Sequence, residues 1–131
     1  RPDLLLPPGA TDCHAHICGP DSSFPYFSRR IYTPPDALLP DYFNLLTHLG
    51  VERAVLVQPS IYGTDNRAML AALKAFPKKL RGVAVVYNTI TDTEIEALHH
   101  AGVRGLRCNI VDLAADMKMQ QPQIIKKICC P

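Results

Sequence analysis

The chain reads as an α/β protein built on a parallel sheet. Four short apolar runs, Thr11 to Ile17, Ala54 to Pro59, Val83 to Tyr87 and Val103 to Ile110, alternate with stretches of helical periodicity, which is the pattern of βαβ crossovers. Runs such as Val83-Ala84-Val85-Val86 are nearly continuous in hydrophobicity. A strand covered on both faces requires that, whereas a half-wet antiparallel strand would alternate. Polar residues gather toward the C-terminal ends of the runs, where ligands meet the strands of α/β sheets.

Taken in order, the first strand sends Asp12, His14 and His16 to one face and Cys13, Ala15 and Ile17 to the other by period-two geometry. Thr33-Pro34-Pro35-Asp36 then offers a cap, a proline at the first helical position and a carboxylate at the third. Pro40 would remove an interior hydrogen bond of such a helix, so a break is expected there, with the main helix running from about Asp41 to Leu49 before Gly50. The second strand places Leu56, Gln58 and Ser60 opposite Val55, Val57 and Pro59. Thr64 or Asp65 can cap a helix carrying Met69, Leu70, Leu73 and Phe76, which Pro77 ends. In the third strand either Tyr87 or Asn88 can be the inward residue. Thr91-Asp92-Thr93-Glu94 forms a capping box for a helix with Ile95 and Leu98 on its apolar stripe and Gly102 as its stop. The fourth strand sets Arg107 and Asn109 opposite Leu106, Cys108 and Ile110.

Composition narrows the class of function. The 131 residues are 47% hydrophobic and 20% charged, as in one soluble globular unit. A formal charge of +2 gives no support to a nucleic-acid partner. No stretch reaches the roughly 18 to 20 apolar residues of a membrane span, and the segment Arg1 to Pro8 is too short and too interrupted for a signal peptide. No membrane partner and a cytoplasmic location are therefore expected. Five cysteines, at positions 13, 18, 108, 129 and 130, do not make a disulfide framework and are expected as reduced thiols, Cys13 and Cys108 as small buried apolar residues. Their spacings lack the CxxC pattern of a zinc knuckle.

A buried histidine or arginine costs free energy unless it is paired or meets a ligand, so polar groups from several strands at one end of a sheet mark a ligand site. The residues that make it up also carry a resemblance. Thr11-Asp12-Cys13-His14-Ala15-His16-Ile17, with its His-x-His ending, resembles the first strand of the amidohydrolase superfamily. The likeness extends through Arg30-Ile31-Tyr32-Thr33-Pro34, Gly50 to Gln58, Ser60-Ile61-Tyr62-Gly63-Thr64-Asp65-Asn66 and Gly102 to Asn109. Together these resemble the lactonase-type members of the amidohydrolase-related branch, over roughly residues 9 to 111.

That resemblance implies a TIM-type (β/α)8 barrel, of which only the first four strands are present, since such a barrel needs about 250 residues. Residues 1–111 would be the N-terminal half and residues 112–131 a divergent tail. By position, His14 and His16 would be the catalytic pair, polarising the substrate carbonyl and steadying the charge on its oxygen. Tyr32, Ser60 and Arg107 would hold substrate oxygens, the arginine as a bidentate clamp on a carboxylate. The packing readings of the same residues are that Ser60 shapes the strand-to-helix turn, Tyr32 packs on the barrel rim and Arg107 pairs with Asp12.

The resemblance implies a metal-independent enzyme with no cofactor. The alternative is a divalent metal such as zinc on His14 and His16, although catalytic zinc sites take three protein ligands. Leu113 stands where lactonases of this type carry a second arginine. The family's later histidine and its eighth-strand aspartate, the general base, have no counterpart, because His48, His99 and His100 fall on helices. The expected function is hydrolysis of a small carboxylated lactone, or a similar ester or amide, by electrostatic activation of the carbonyl. The alternative is a catalytically inactive half-barrel, a fragment or a homo-oligomer joined through exposed sheet edges.

Overall fold

The computed structural model describes residue 3 and residues 5–108. Its elements are β1 (Thr11–Ala15), α1 (Leu39–Leu49), β2 (Arg53–Val57), a 3₁₀ turn (Ser60–Tyr62), α2 (Arg67–Ala75), β3 (Leu80–Ala84), α3 (Asp92–His100) and β4 (Val103–Leu106). The strands form one sheet in the order β1-β2-β3-β4, every neighbouring pair parallel. Three βα units and a fourth strand joined in sequence order, with helices over one face, make a partial TIM-type barrel. The 111/112 boundary, Asn109, Ile110, Leu113, Cys129 and Cys130 lie outside the described residues.

One face of the sheet builds the core. Ala54, Leu56, Leu80, Ala84 and Val103 cluster with Leu46 of α1 and Met69, Ala72 and Leu73 of α2. Leu56, Leu73 and Leu80 are each 1% exposed. Gly82 belongs to this contact: a Cβ there would lie 2.8 Å from Leu73 Cδ1 and 3.0 Å from Met69 Sδ, so glycine lets α2 sit directly on β3. At the N-terminal ends of the strands, Arg53 donates to the Gly9 carbonyl, Arg81 to those of Pro77 and Leu80, and Arg104 to those of His99 and Val103.

The helices follow their local chemistry, with corrections to the sequence reading. The helix expected from Thr33 does not form. α1 begins at Leu39, which puts Pro40 in the first turn, where no hydrogen bond is lost, and it ends at Gly50 in the left-handed region with φ 79°. α2 has Asn66 as its N-cap, without a side-chain cap bond. Asp65, one residue earlier, accepts from the Arg67 amide at 3.1 Å and grips its guanidinium at 2.6 and 2.9 Å. The capping box of α3 is present in both directions, Thr91 Oγ1 accepting from the Glu94 amide and Glu94 accepting from the Thr91 amide.

Two strands differ from the reading by hydropathy. β3 lies at Leu80–Ala84 rather than from Val83 to Tyr87, so Val85 and Val86 are buried in the loop beyond the strand and Tyr87 is exposed there. β1 stops at Ala15 and carries a bulge, because Asp12 pairs with Ala54 but Ala15 pairs with Leu56. Cys13 is exposed and Cys108 only half-buried, while Cys18 is the buried thiol. Among the described residues, no helix is long and apolar enough to cross a membrane.

The Arg67 hydrogen bonds hold the Asp65 carboxyl below its ordinary 3.8. A carboxyl depressed in the folded state contributes stability above its unfolded value and loses it as pH falls through the folded one. In urea unfolding, the stability gap between the parent chain and Asp65→Asn is therefore expected to be full at neutral pH and to close between about pH 5 and pH 2.

Candidate active site

The site is assembled where β1, β2 and β4 end. Ala15 and Ile17 pack in the helix-side core, so alternation turns His14 and His16 to the opposite, inner face, where both are exposed. The sequence reading put Asp12 with them, and the structure corrects this. The bulge inserts one residue between Asp12 and Ala15, and Asp12 faces α1, accepting from the Tyr42 hydroxyl at 2.7 Å. In β2 the expected division into two faces stands, and the helices cover the side that carries the polar Gln58. Leu56 and Gln58 lie on the buried side, and Val55 and Val57 on the inner one.

His16 and Arg107 converge on the end of β2. His16 Nδ1 lies 2.7 Å from the Val57 carbonyl oxygen, and Arg107 Nη1 donates at 2.9 Å to the carbonyl of the next residue, Gln58. A carbonyl only accepts, so Nδ1 of His16 carries the proton and Nε2 of the neutral ring bears the lone pair. The rings of His14 and His16 meet edge-to-face, with centroids 5.0 Å apart and planes at 81°. Arg107 does not pair with Asp12. Among the described residues, its one side-chain hydrogen bond is the Nη1 donation to Gln58.

The other predicted contacts are looser. Ser60 opens the 3₁₀ turn directly after β2, and its carbonyl accepts from the Gly63 amide at 3.0 Å; the turn-shaping role is therefore present. Tyr32 lies in the β1–α1 loop, 47% exposed, and among the described residues no hydrogen bond or ring contact joins it to the histidines. His48, His99 and His100 sit in the last turns of α1 and α3. No group of three or more His, Cys, Asp or Glu side chains able to hold a metal occurs among the described residues, so His14 and His16 stand there without the third protein ligand a zinc site uses.

Two residues outside the predicted set support the site. Gln58 is fully buried and its amide donates to the carbonyls of Asp65 at 2.8 Å and Gly63 at 3.4 Å, fastening the β2–α2 loop; its Oε1 has no partner among the described residues. Tyr62, also buried, accepts from the Gly19 amide at 2.7 Å and ties the β1–α1 loop to the same turn. A polar residue ending an apolar run was the available signal for Gln58, but it reads equally well as an inward ligand group. A cavity of about 450 Å³, lined by residues including Leu70, Tyr87, Ile90 and Leu98, opens between α2, α3 and the β3–α3 loop. None of the candidate residues lines it.

Parallel βα units with histidines and an arginine at the carboxyl ends of different strands define the TIM-barrel class of ligand-binding and catalytic proteins. Within that class the chain belongs to the amidohydrolase family, whose profile matches residues 11–116. It is 47% identical over 116 residues to the 2-pyrone-4,6-dicarboxylate hydrolase of Comamonas testosteroni, an alignment covering 88% of this chain and 38% of that protein. It is 42% identical to the 4-sulfomuconolactone hydrolase of Rhizobium radiobacter, covering 79% of this chain and 35% of that one. A crystal structure from Pseudomonas putida, assigned as a 2-pyrone-4,6-dicarboxylic acid hydrolase, superposes with a TM-score of 0.72 at 35% identity, covering 94% of this chain and 45% of that chain. The chain thus spans well under half the length of the relatives it matches.

The His16 geometry makes a direct prediction. Nitrogen-15 NMR of the neutral ring is expected to show a protonated Nδ1 and a pyridine-like Nε2; the reverse tautomer would show that the Val57 contact does not form.

Proposed function

We propose that the chain carries the carbonyl-activating and carboxylate-binding part of a hydrolase acting on a small carboxylated lactone, or a similar ester or amide. The observation that carries this reading is the convergence of His16 and Arg107 on consecutive carbonyls of β2. It fixes a titratable ring and a cation on neighbouring points of one rigid strand. Likeness to hydrolases named for a pyrone dicarboxylate and a sulfomuconolactone supports the substrate class.

The chemistry follows from the donor inventory. Arg107 offers its remaining N–H groups to a substrate carboxylate. Ser60 and Tyr32 hold further substrate oxygens, Tyr32 once its loop comes over the strand ends. His14 and His16 face the carbonyl. Because the Nδ1 proton of His16 is spent on Val57, this ring donates to a carbonyl oxygen from Nε2 only as the imidazolium. In its neutral form the same atom accepts a proton. Polarisation of the carbonyl by His16 therefore needs the protonated ring. The reading uses no metal and no cofactor. It takes the protein to be cytoplasmic, in keeping with the odd number of cysteines and their lack of a disulfide framework in the sequence.

A lactone-hydrolysis assay after chelator treatment tests this. Turnover is expected to fall on the order of 100-fold in His16→Ala, and Arg107→Lys is expected to raise KM with little change in kcat, since lysine cannot form the bidentate clamp. Absent turnover, turnover indifferent to His16→Ala, or stoichiometric tightly held zinc would reject catalysis of this kind by the chain.

One observation favours a second reading, in which the chain acts as a self-associating half-barrel. Among the described residues β1 and β4 each pair on one side only, and such edges template further strand pairing. Sedimentation is expected to show a dimer under this reading, and a cooperatively folding monomer would exclude it.

A further inference from the structure

We propose that Tyr42 and Asp12 are positioning residues for His14, acting from the helical layer through the bulge of β1. The catalytic consequence rests on the hydrolase reading above; the linkage itself rests on geometry. Asp12 divides its carboxylate between two donors. Oδ1 accepts the backbone N–H of His14 at 3.0 Å, and Oδ2 accepts the Tyr42 hydroxyl at 2.7 Å.

The bulge explains why this arrangement is needed. An extra residue in one strand leaves a backbone group out of the ladder. Asp12 supplies the acceptor from within the bulge. The carboxylate meanwhile stays on the helix side while the histidine ring is sent to the inner face. Tyr42 packs against the core, and burial together with the Asp12 hydrogen bond pushes its phenol well above the ordinary tyrosine value, so it remains a proton donor to Asp12.

The two histidines thus have separate anchors. His16 is fixed through its ring, on Val57. His14 has no ring hydrogen bond among the described residues, and its pose is set by its backbone and by the edge-to-face contact with His16. A shift at the His14 amide consequently passes straight into the position of its ring.

NMR of the full labelled chain tests the linkage in Tyr42→Phe, which keeps the packed ring and removes only the hydroxyl, and in Asp12→Asn. The His14 amide proton is expected to move upfield and to exchange faster in both, while the His16 ring keeps its Nδ1 proton. Where the parent chain turns over a lactone, kcat is expected to fall on the order of tenfold with KM unchanged. An unmoved His14 amide in Tyr42→Phe, His14 and His16 shifting together, or loss of cooperative folding in both variants would overturn the proposal. A parent chain without turnover would defeat the hydrolase reading alone, and the NMR comparison would still decide the linkage.

Discussion

At the carboxyl end of β2 the backbone runs past its neighbours, and the carbonyls of Val57 and Gln58 need hydrogen-bond donors there. Buried backbone acceptors left without donors cost free energy comparable to a lost hydrogen bond. Here the donors are side chains, His16 from β1 and Arg107 from β4. The same two bonds that satisfy the strand therefore fix the ring and the guanidinium in space. Each bond thus serves the sheet end and the geometry of the site at once, and losing either one leaves a carbonyl at the end of β2 without its side-chain donor.

The remainder of the architecture supports that strand end. Leu56, just before it, is sealed under the helices at 1% exposure. Gln58, just after it, fastens the following loop at two carbonyls, and the Asp65–Arg67 pair secures the start of α2. Arginine serves opposite purposes at the two ends of the sheet. At the amino ends, Arg53, Arg81 and Arg104 donate to carbonyls of nearby loops and helix ends. At the carboxyl end, Arg107 reaches across strands to the Gln58 carbonyl.

The parts of the fold that were legible in the sequence are those with local chemical causes. The capping box at Thr91–Glu94, the glycine stop of α1 and the apolar continuity of β2 each act within a few residues. The errors arose where tertiary packing decides. Val85 and Val86 extend the apolar run of β3 because the loop they occupy is buried too. Gln58 reads as an inward ligand group because alternation alone cannot say which face of β2 the helices cover. The bulge in β1 leaves no mark in hydropathy, so Asp12 was grouped with His14 and His16 although its side chain serves Tyr42. His16 and Arg107 were recoverable because each follows its strand on the polar face, but the carbonyls they share were not, since the backbone has no letter in a sequence.

The inner face of this four-stranded sheet also has an electrical consequence. His14 and His16 lie on it, and both are exposed. A molecule held by Arg107 would keep its far side in bulk water, where a charge pair at contact distance is worth about a quarter of what it is worth in a protein-like medium. Preorganised donors act most strongly when water is shut out. The same histidine and arginine would therefore gain strength from any surface that roofs the sheet, without moving a single atom of their own.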